Sequence, residues 1–217
     1  MTRGEADAGT RLHALLAAAG LEPLDAATVT KFETYLALLL RWNSKINLTA
    51  IREEDAILTR HFVESIACAR ALPLGIATLL DYGSGAGLPG IPIALCRPEM
   101  EVTLAERQGK KAAFLREAVR VLGIEAKVHE GRAESLPELF DCVTLRAVDR
   151  MAEAVKAGGM LTDKGGWLAV MTTDGELEAV KAEAGKGFRW EQKIRLAGSE
   201  NRLLALGRRV DQKRVNI

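Results

Sequence analysis

A glycine-rich stretch between residues 81 and 90 constrains the fold of this chain more than any other feature. It reads Asp-Tyr-Gly-Ser-Gly-Ala-Gly-Leu-Pro-Gly and directly follows the apolar run Ile76–Leu80. Four glycines within eight residues are typical of a backbone that needs positive φ angles or close contact with a ligand. Pro89 suits the first turn of a helix, where free N–H groups favour an electron-rich ligand group. The stretch therefore predicts a strand, a tight ligand-binding turn and the start of a helix.

Two nucleotide cofactors fit this turn. From Gly85 onward the residues match the dinucleotide pattern G-x-G-x-x-G, and Glu106 follows where that pattern places an acid for the ribose. From Asp81 onward they match D-x-G-x-G-x-G, which is typical of Rossmann-like S-adenosylmethionine-dependent methyltransferases. A carboxylate at the end of the strand suits a cationic methionine amine and would repel a pyrophosphate. Asp81 therefore favours S-adenosylmethionine over NAD, and a purely structural glycine turn is the third interpretation.

Composition excludes several other classes of protein. The chain has 217 residues, a formal net charge of +1, no long apolar stretch and a polar N-terminus unlike a leader. Cys68, Cys96 and Cys142 are far apart and form no C-x-x-C pair, which predicts buried thiols and no metal site. We therefore expect a cytoplasmic protein with no membrane span. Bases outnumber acids from Arg189 to the C-terminus, which fits either a solvated tail or a polyanionic partner.

The first 75 residues are predicted to form a helical extension or cap. Leucines at helical spacing predict one helix around Leu12–Ala19, and a second helix begins near Asp25 or Thr28. A third is expected from about Glu53 to Ala71, where acids stabilise its positive N-terminus. This block precedes the first predicted strand, so it could cover the cofactor or recruit a substrate.

Residues 76–217 are predicted to form the cofactor-binding core, in which strands and helices alternate. Strands are expected at residues 76–80, 101–106, 126–129, 140–145 and 167–171, and helices at 88–97, 108–122, 150–157 and 176–184. This alternation predicts an α/β, doubly wound parallel sheet, and the last two strands, 188–196 and 202–207, an antiparallel hairpin at one edge. Ligands of such sheets bind at the carboxyl ends of the strands, so Asp81, Glu106, Glu134 and Arg146 are expected to converge.

The segment Arg41–Thr49 joins the second and third predicted helices. Its Asn, Ser and Thr side chains satisfy local backbone groups, so the local chemistry favours a helix end followed by a turn. The alternative is an RNA-binding element, in which Trp42 stacks on a base and Arg41 and Lys45 contact phosphates. His61 is likewise open to a structural or a binding role.

Five elements in this chain together resemble those of one protein family. They are Trp42-Asn-x-x-Ile-Asn-Leu-Thr49, Arg60-His61, the stretch from Asp81 to Gly90, Lys110-Lys111-x-x-Phe114-Leu115 and Arg146-Ala147. In this combination the chain, between about Leu36 and Arg146, resembles the bacterial small-subunit rRNA guanine-N7 methyltransferases, also called the glucose-inhibited division protein B family. The resemblance implies a Rossmann-like class I methyltransferase that uses S-adenosylmethionine. It also implies methylation of guanine N7 in the 530 loop of 16S rRNA, with 16S rRNA or the small ribosomal subunit as partner.

The resemblance further implies roles for individual residues. Cofactor binding is expected of Asp81, Gly83, Ser84, Gly85, Ala86, Gly87, Leu88, Glu106, Ala133, Glu134 and Arg146. Contact with substrate RNA is expected of Arg41, Trp42, Asn43, Lys45, Asn47, Thr49, Arg60, His61, Lys110 and Lys111. Arg146 is also the expected catalytic residue, in contact with a phosphate, the cofactor or guanine O6 alone. The chain departs from the family after Arg146, because Met171–Gly175 stands where a Lys-Gly pair is usual and Val148–Arg150 lacks the expected small or aromatic residues.

The residues present also restrict the chemistry of methyl transfer. Methylation at carbon-5 of a pyrimidine needs a cysteine nucleophile, and Cys142 is predicted to lie inside a strand. Methylation of an exocyclic amine typically uses Asn/Asp-Pro-Pro-Tyr/Phe after the fourth strand, where this chain has residues 146–149, Arg-Ala-Val-Asp. Guanine N7 carries an in-plane lone pair and loses no proton, so positioning suffices without a covalent intermediate. A small-molecule methyltransferase and a non-catalytic ribosome-assembly protein are the alternatives.

Overall fold

The computed structural model describes residues 7–147, 150–196, 199 and 201–210. Several expectations lie outside these ranges. They concern the first six residues of the chain, Val148 and Asp149, most of the turn of the terminal hairpin, and Asp211, Lys213 and Arg214 at the end of the basic tail.

A seven-stranded sheet forms the centre of the molecule. Its strands are β1 Thr78–Tyr82, β2 Glu101–Glu106, β3 Ala126–Glu130, β4 Phe140–Arg146, β5 Thr162–Thr173, β6 Phe188–Arg195 and β7 Arg202–Arg209. Their order is β3-β2-β1-β4-β5-β7-β6; the first five strands along the chain run parallel, and β7 is antiparallel to both β5 and β6. The predicted doubly wound sheet and its antiparallel edge are confirmed. The order reverses between β1 and β4, so a crevice is expected at their carboxyl ends.

Helices cover both faces of this sheet. They are α1 Ala8–Ala18, α2 Ala26–Asn43, α3 Glu54–Ile57, a π-helix Leu58–Val63, α4 Glu64–Ala71, α5 Gly90–Cys96, α6 Gly109–Leu122, α7 Met151–Leu161 and α8 Leu177–Ala184. The side chains of Asp7 and Asp25 accept hydrogen bonds from the N–H groups of Thr10 and Thr28, which explains where α1 and α2 begin. Among the helices of the described ranges, none is long and apolar enough to cross a lipid bilayer.

The structure corrects two of the predicted elements. The first strand runs from Thr78 to Tyr82 rather than from Ile76 to Leu80, so Asp81 lies inside the strand and not after it. The single helix predicted from about Glu53 to Ala71 is interrupted by the π-helix Leu58–Val63, in which the backbone hydrogen bonds span five residues instead of four. Hydrophobic periodicity does not distinguish a π turn from an α turn, so the sequence carried no signal for this feature.

One hydrophobic core joins the N-terminal helices to the sheet. A continuous cluster contains Leu16, Phe32 and Phe62 from the helices together with Leu79 and Leu104 from β1 and β2. Phe62 lies with its ring centroid 5.2 Å from that of Phe32 and stacks on a second aromatic ring of α2. A second cluster on the other face of the sheet is covered by α7 and α8. The division that we predicted at residue 75 therefore crosses a shared core.

Candidate active site

A cavity of about 400 Å³ opens at the carboxyl ends of β1 to β4. It is lined by residues 48–50, 61, 82–86, 88, 105–108, 111, 131–134, 146–147, 150 and 153–154. The site therefore combines the glycine-rich loop with the ends of three further strands and with two segments of the N-terminal helical block. All residues that we expected to bind the cofactor line it except Asp81 and Gly87.

The glycine-rich loop forms one wall through its backbone. Gly83, Gly85 and Gly87 all have positive φ angles, between +56° and +82°. Ser84 holds the loop in place because its N–H donates to the carbonyl of Ala105 (2.9 Å) and its hydroxyl donates to the carbonyl of Asp81 (2.9 Å). A Cβ atom at Gly87 would lie 2.4 Å from the Ile91 side chain, so packing requires glycine there in addition to φ. Glycine at these positions is thus a geometric requirement of the loop.

Asp81 lies beneath this loop and does not reach the cavity. Its side chain is 1 % exposed; one oxygen accepts a hydrogen bond from the Thr144 hydroxyl (2.9 Å) and the other from the N–H of Gly90 (3.2 Å). Burial raises the pKa of this carboxyl group to about 6. The structure therefore shows a structural role for Asp81, and its direct contact with a methionine amine stays a prediction. Asp81 ties β1 to β4 and to the first turn of α5.

Glu106 stands at the end of β2 and lines the cavity. Its Oε2 accepts a hydrogen bond from the N–H of Gly85 (3.0 Å), and its Oε1 accepts one from the N–H of Gln108 (2.7 Å). The carboxylate is thus oriented by two backbone groups and joins the glycine-rich loop to β2. Carboxylate oxygens have enough lone pairs to accept further hydrogen bonds from a ribose.

The loop after β3 supplies the third part of the site. Ala133 and Glu134 form a short 3₁₀ turn with Ser135, and both line the cavity, as expected. Glu134 accepts a hydrogen bond from the hydroxyl of Tyr82 (2.9 Å), a cavity residue that sequence reasoning missed. Burial, followed by the hydrogen bond to Glu134, raises the pKa of Tyr82 to about 12, so the phenol remains a donor. A strand boundary drawn two residues further along the chain would have placed Tyr82 at the edge of the site.

Arg146 lines the cavity, yet both terminal nitrogens of its guanidinium group are engaged by protein atoms. They donate to Glu64 (3.0 Å), to the Ser65 hydroxyl (3.0 Å), to Nδ1 of His61 (3.3 Å) and to the carbonyl groups of Arg60 and His61. Those carbonyls belong to the π-helix. The guanidinium group therefore binds protein atoms in this structure, and its expected contact with RNA or cofactor and its catalytic role stay predictions.

Glu64 completes a buried charge cluster that sequence reasoning also missed. It is 1 % exposed and accepts hydrogen bonds from Arg146 and from Nε of Arg202 (2.6 Å). The cluster joins α4 to the end of β4 and the start of β7. A carboxylate on an otherwise apolar helix face was the available signal, because such a group is rarely buried without a cationic partner.

The first half of the Arg41–Thr49 segment has the structural role, the first of the two roles that the sequence allows. Trp42 donates a hydrogen bond from its indole nitrogen to Glu117 (2.8 Å) and packs edge-on against Phe114, with ring centroids 5.8 Å apart. Arg41 forms an ion pair with the same carboxylate. These contacts attach α2 to α6, so the expected stacking of Trp42 on an RNA base conflicts with its position.

Asn43 and Asn47 are also engaged within the protein. The side-chain oxygen of the buried Asn43 accepts hydrogen bonds from the N–H groups of Leu48 (2.9 Å) and Thr49 (3.0 Å). Asn47 accepts one from Arg52 (3.0 Å). Neither side chain lines the cavity, and the same holds for Arg41, Trp42, Lys45, Arg60 and Lys110.

Thr49, His61 and Lys111 are the expected RNA contacts that the fold does bring to the cavity. The Thr49 hydroxyl and Nε2 of His61 are 2.7 Å apart. Burial, followed by the nearby charge of Arg146, lowers the pKa of His61 to about 3. The imidazole is therefore neutral, and both of its nitrogens are hydrogen-bonded.

The sequence matches the model of a known family, GidB, described as rRNA small subunit methyltransferase G, over residues 28–200. The chain belongs to the GidB family. Two relatives, both named ribosomal RNA small subunit methyltransferase G, illustrate the similarity. The protein of Xanthomonas euvesicatoria pv. vesicatoria is 47 % identical over 153 residues, covering 69 % of this chain and 71 % of the relative. The protein of Stenotrophomonas maltophilia strain K279a is 49 % identical over 151 residues, covering 68 % and 70 %.

Solved structures similar to this GidB protein support the fold. A predicted O-methyltransferase from Agrobacterium tumefaciens superposes with a TM-score of 0.59 at 20 % identity, covering 69 % of this chain and 81 % of that chain. A SAM-dependent methyltransferase from Aquifex aeolicus gives a TM-score of 0.56 at 16 % identity, covering 71 % and 93 %. At these identities the likeness concerns the class I methyltransferase fold alone.

S-adenosylmethionine is the cofactor of this GidB protein, and the residues present fit it. The cavity has the size of a small-molecule site, a glycine backbone that a ligand can approach closely, and a buried acid at the end of β2. Gly83–Ala86, Glu106 and Ala133–Glu134 are the residues that would hold it. When bound, the cofactor supplies an electrophilic methyl group. Within the described ranges, no group of His, Cys, Asp and Glu side chains is arranged to hold a metal ion.

Proposed function

We propose that this GidB protein methylates N7 of a guanine in the 530 loop of 16S rRNA, by positioning and without a covalent intermediate. Its family and the names of its relatives support rRNA of the small subunit as the substrate. The choice of guanine N7 rests on the resemblance given by the sequence and on the chemistry of the cavity.

The observation that carries the proposal is that, among the described residues, no cysteine lines the cavity and the histidine that does line it is hydrogen-bonded at both ring nitrogens. Burial raises the pKa values of Cys68 and Cys96 to about 12 and about 11, and raises that of Cys142 as well; none of the three lines the cavity. The neutral His61 already donates and accepts hydrogen bonds. Guanine N7 needs neither group, because its lone pair is available and no proton leaves. Alignment with the methyl group is then a proximity effect.

Cationic side chains at the cavity support a nucleic-acid substrate. Arg107, Lys111, Arg132 and Arg150 all line it. Arg132 and Arg150 form ion pairs with Glu134 and Glu153, whereas Arg107 and Lys111 have no carboxylate partner in the part of the chain that the structure describes. Their charge is available for phosphates.

The decisive experiment maps the modified nucleotide. Small subunits that lack the modification are incubated with the protein and methyl-labelled S-adenosylmethionine, and reverse transcription after cleavage at 7-methylguanosine locates the product. We expect one labelled position, in the 530 loop. Label at another base or atom would contradict the proposal, and RNA binding without any turnover would favour an assembly protein.

A Lys111→Ala variant tests the phosphate contact. Loss of one contact should reduce the slope of log affinity for 16S rRNA against log salt concentration by about 0.7 to 0.9. The matched control is Lys181→Ala on α8, a lysine outside the cavity that pairs with Glu178, and its slope should equal that of the wild type. Equal slopes for both variants would remove Lys111 from the RNA interface.

A further inference from the structure

The helical side of the cavity contains three side chains connected by hydrogen bonds. Nη2 of Arg146 lies 3.3 Å from Nδ1 of His61, and Nε2 of His61 lies 2.7 Å from the Thr49 hydroxyl. All three residues line the cavity. Thr49 is half-buried and is the end of this series.

The direction of each hydrogen bond follows from the chemistry of the groups. A guanidinium group can only donate, so Nδ1 of His61 must accept. A neutral imidazole carries one proton, which must then be on Nε2, and this N–H donates to Thr49. Burial of His61 beside the Arg146 charge keeps the ring neutral. Arg146 therefore determines the tautomer of His61, and His61 determines the role of Thr49.

The Thr49 hydroxyl oxygen accepts a second hydrogen bond. The backbone N–H of Ile51 donates to it at 3.2 Å. A hydroxyl group has two acceptor lone pairs and one proton to donate, so both lone pairs are now occupied. Among the described residues, no acceptor receives the Thr49 proton once these directions are assigned. The hydroxyl can therefore only donate one further hydrogen bond. A bound ligand could provide the acceptor for it.

We infer that Thr49 selects guanine over other purines by donating a hydrogen bond to O6 of the target base. This inference rests on the proposed function. Guanine and adenine both present N7 as an acceptor, but the neighbouring group is the acceptor O6 in guanine and an amine donor in adenine. An unrestricted hydroxyl would accept from the amine as readily as it donates to O6. The restricted one accommodates guanine alone, and a contact to O6 leaves the N7 lone pair free for methyl transfer.

The test compares three target bases. Small subunits are reconstituted with 16S rRNA that carries guanine, 2-aminopurine or 2,6-diaminopurine at the methylated position; 2-aminopurine keeps N7 and lacks O6. Methylation is measured as kcat/KM for the wild type, Thr49→Val and Thr49→Ser. We expect the wild type to prefer guanine to 2-aminopurine about tenfold, the effect of one hydrogen bond. Thr49→Val should methylate guanine about tenfold more slowly and 2-aminopurine at the wild-type rate, while Thr49→Ser retains the preference.

A second variant makes the test independent of how Thr49→Val folds. His61→Phe removes the N–H that occupies one lone pair of Thr49, so the hydroxyl can accept from an amine. Methylation of 2,6-diaminopurine relative to guanine should then increase. Binding of S-adenosylhomocysteine confirms that each variant is folded.

Two results would overturn the inference. One is an equal loss on guanine and 2-aminopurine in a folded Thr49→Val, which would indicate a purely structural threonine. The other is a base preference that is unchanged from the wild type in both Thr49→Val and His61→Phe. Failure of the proposed function is seen separately, because the wild type would then leave the unsubstituted guanine unmethylated at N7, and the inference would fall with it.

Discussion

The two sides of the cavity differ in how many of the residues that we predicted for them actually line it. On the cofactor side, Gly83–Ala86, Glu106 and Ala133–Glu134 line the cavity as expected. On the helical side, most of the predicted RNA-binding side chains lie outside the cavity, and Trp42, Asn43 and Asn47 form hydrogen bonds within the protein. A backbone wall follows from local sequence, because a glycine loop after a strand has few conformations. At a helix junction each polar side chain either binds a ligand or stabilises the junction, and only its neighbours determine which.

The strongest way to test this comparison is to remove the buried carboxylate of the helical side. Glu64→Gln leaves Arg146 and Arg202 without their shared counter-charge, so we expect the free energy of unfolding to fall by about 3 kcal/mol, as for other broken buried ion pairs. Urea denaturation measures the loss. Glu101→Gln, which breaks an exposed pair with Lys127, is the control and should cost less than about 1 kcal/mol. Equal losses for the two variants would show that the Glu64 cluster does not hold the helical side in place.

Asp81 provides a pH test on the cofactor side. Burial raises its pKa from 3.8 to about 6, so the folded protein binds a proton between these values that the unfolded chain does not. This contribution to stability is complete below pH 3.8 and is lost as the pH rises through about 6. Asn cannot ionise and loses nothing. Relative to the wild type, Asp81→Asn should therefore gain up to about 3 kcal/mol of unfolding free energy across this interval. If the free energy of unfolding of the wild type and of Asp81→Asn changed in parallel with pH, the raised pKa of the buried Asp81 would be contradicted.

Glu106 sharpens the comparison, because here a predicted acid does face the cavity. Glu106→Gln weakens its hydrogen bonds to loop N–H groups and its expected contact with the ribose. We expect the affinity for S-adenosylhomocysteine, measured by calorimetry, to decrease between about tenfold and a hundredfold, which is the range for hydrogen bonds to a charged group. Glu130→Gln at the end of β3, whose carboxylate pairs with Arg116 outside the cavity, is the control and should bind normally. Unchanged affinity for Glu106→Gln, or tight binding of NAD to the wild type, would refute the assignment.

Trp42 is expected to give the smallest effect. Trp42→Phe keeps a ring against Phe114 and removes the indole donor to Glu117, so the free energy of unfolding should fall by about 1 kcal/mol. Affinity for 16S rRNA should stay at the wild-type value, because the side chain lies outside the cavity. The opposite result, weaker RNA binding with unchanged stability, would restore the stacking role and remove the contrast between the two sides.

Most of the fold was predictable because its signals are local. Apolar alternation marks β2 and β4, and Asp25 in front of an apolar helical pattern marks the start of α2. The π-helix was not predictable, since its wider turn is stabilised by the contact of its carbonyl groups with Arg146, which lies more than 80 residues away. Tyr82 was missed for a smaller reason, a strand end placed two residues too early.

The sequence by itself determined the alternation of strands and helices, the glycine-rich turn with its cofactor, and the family. Hydrophobic periodicity, glycine conformation and the motifs depend on short stretches of chain, so they can be recognised in the sequence itself. Only the tertiary structure decided where the polar side chains point. Asp81 accepts a hydrogen bond from the N–H of Gly90, and Glu64 pairs with arginines 82 and 138 residues away. The reason is the cost of burying an unpaired charge, which must be met by a specific partner and not by a local pattern.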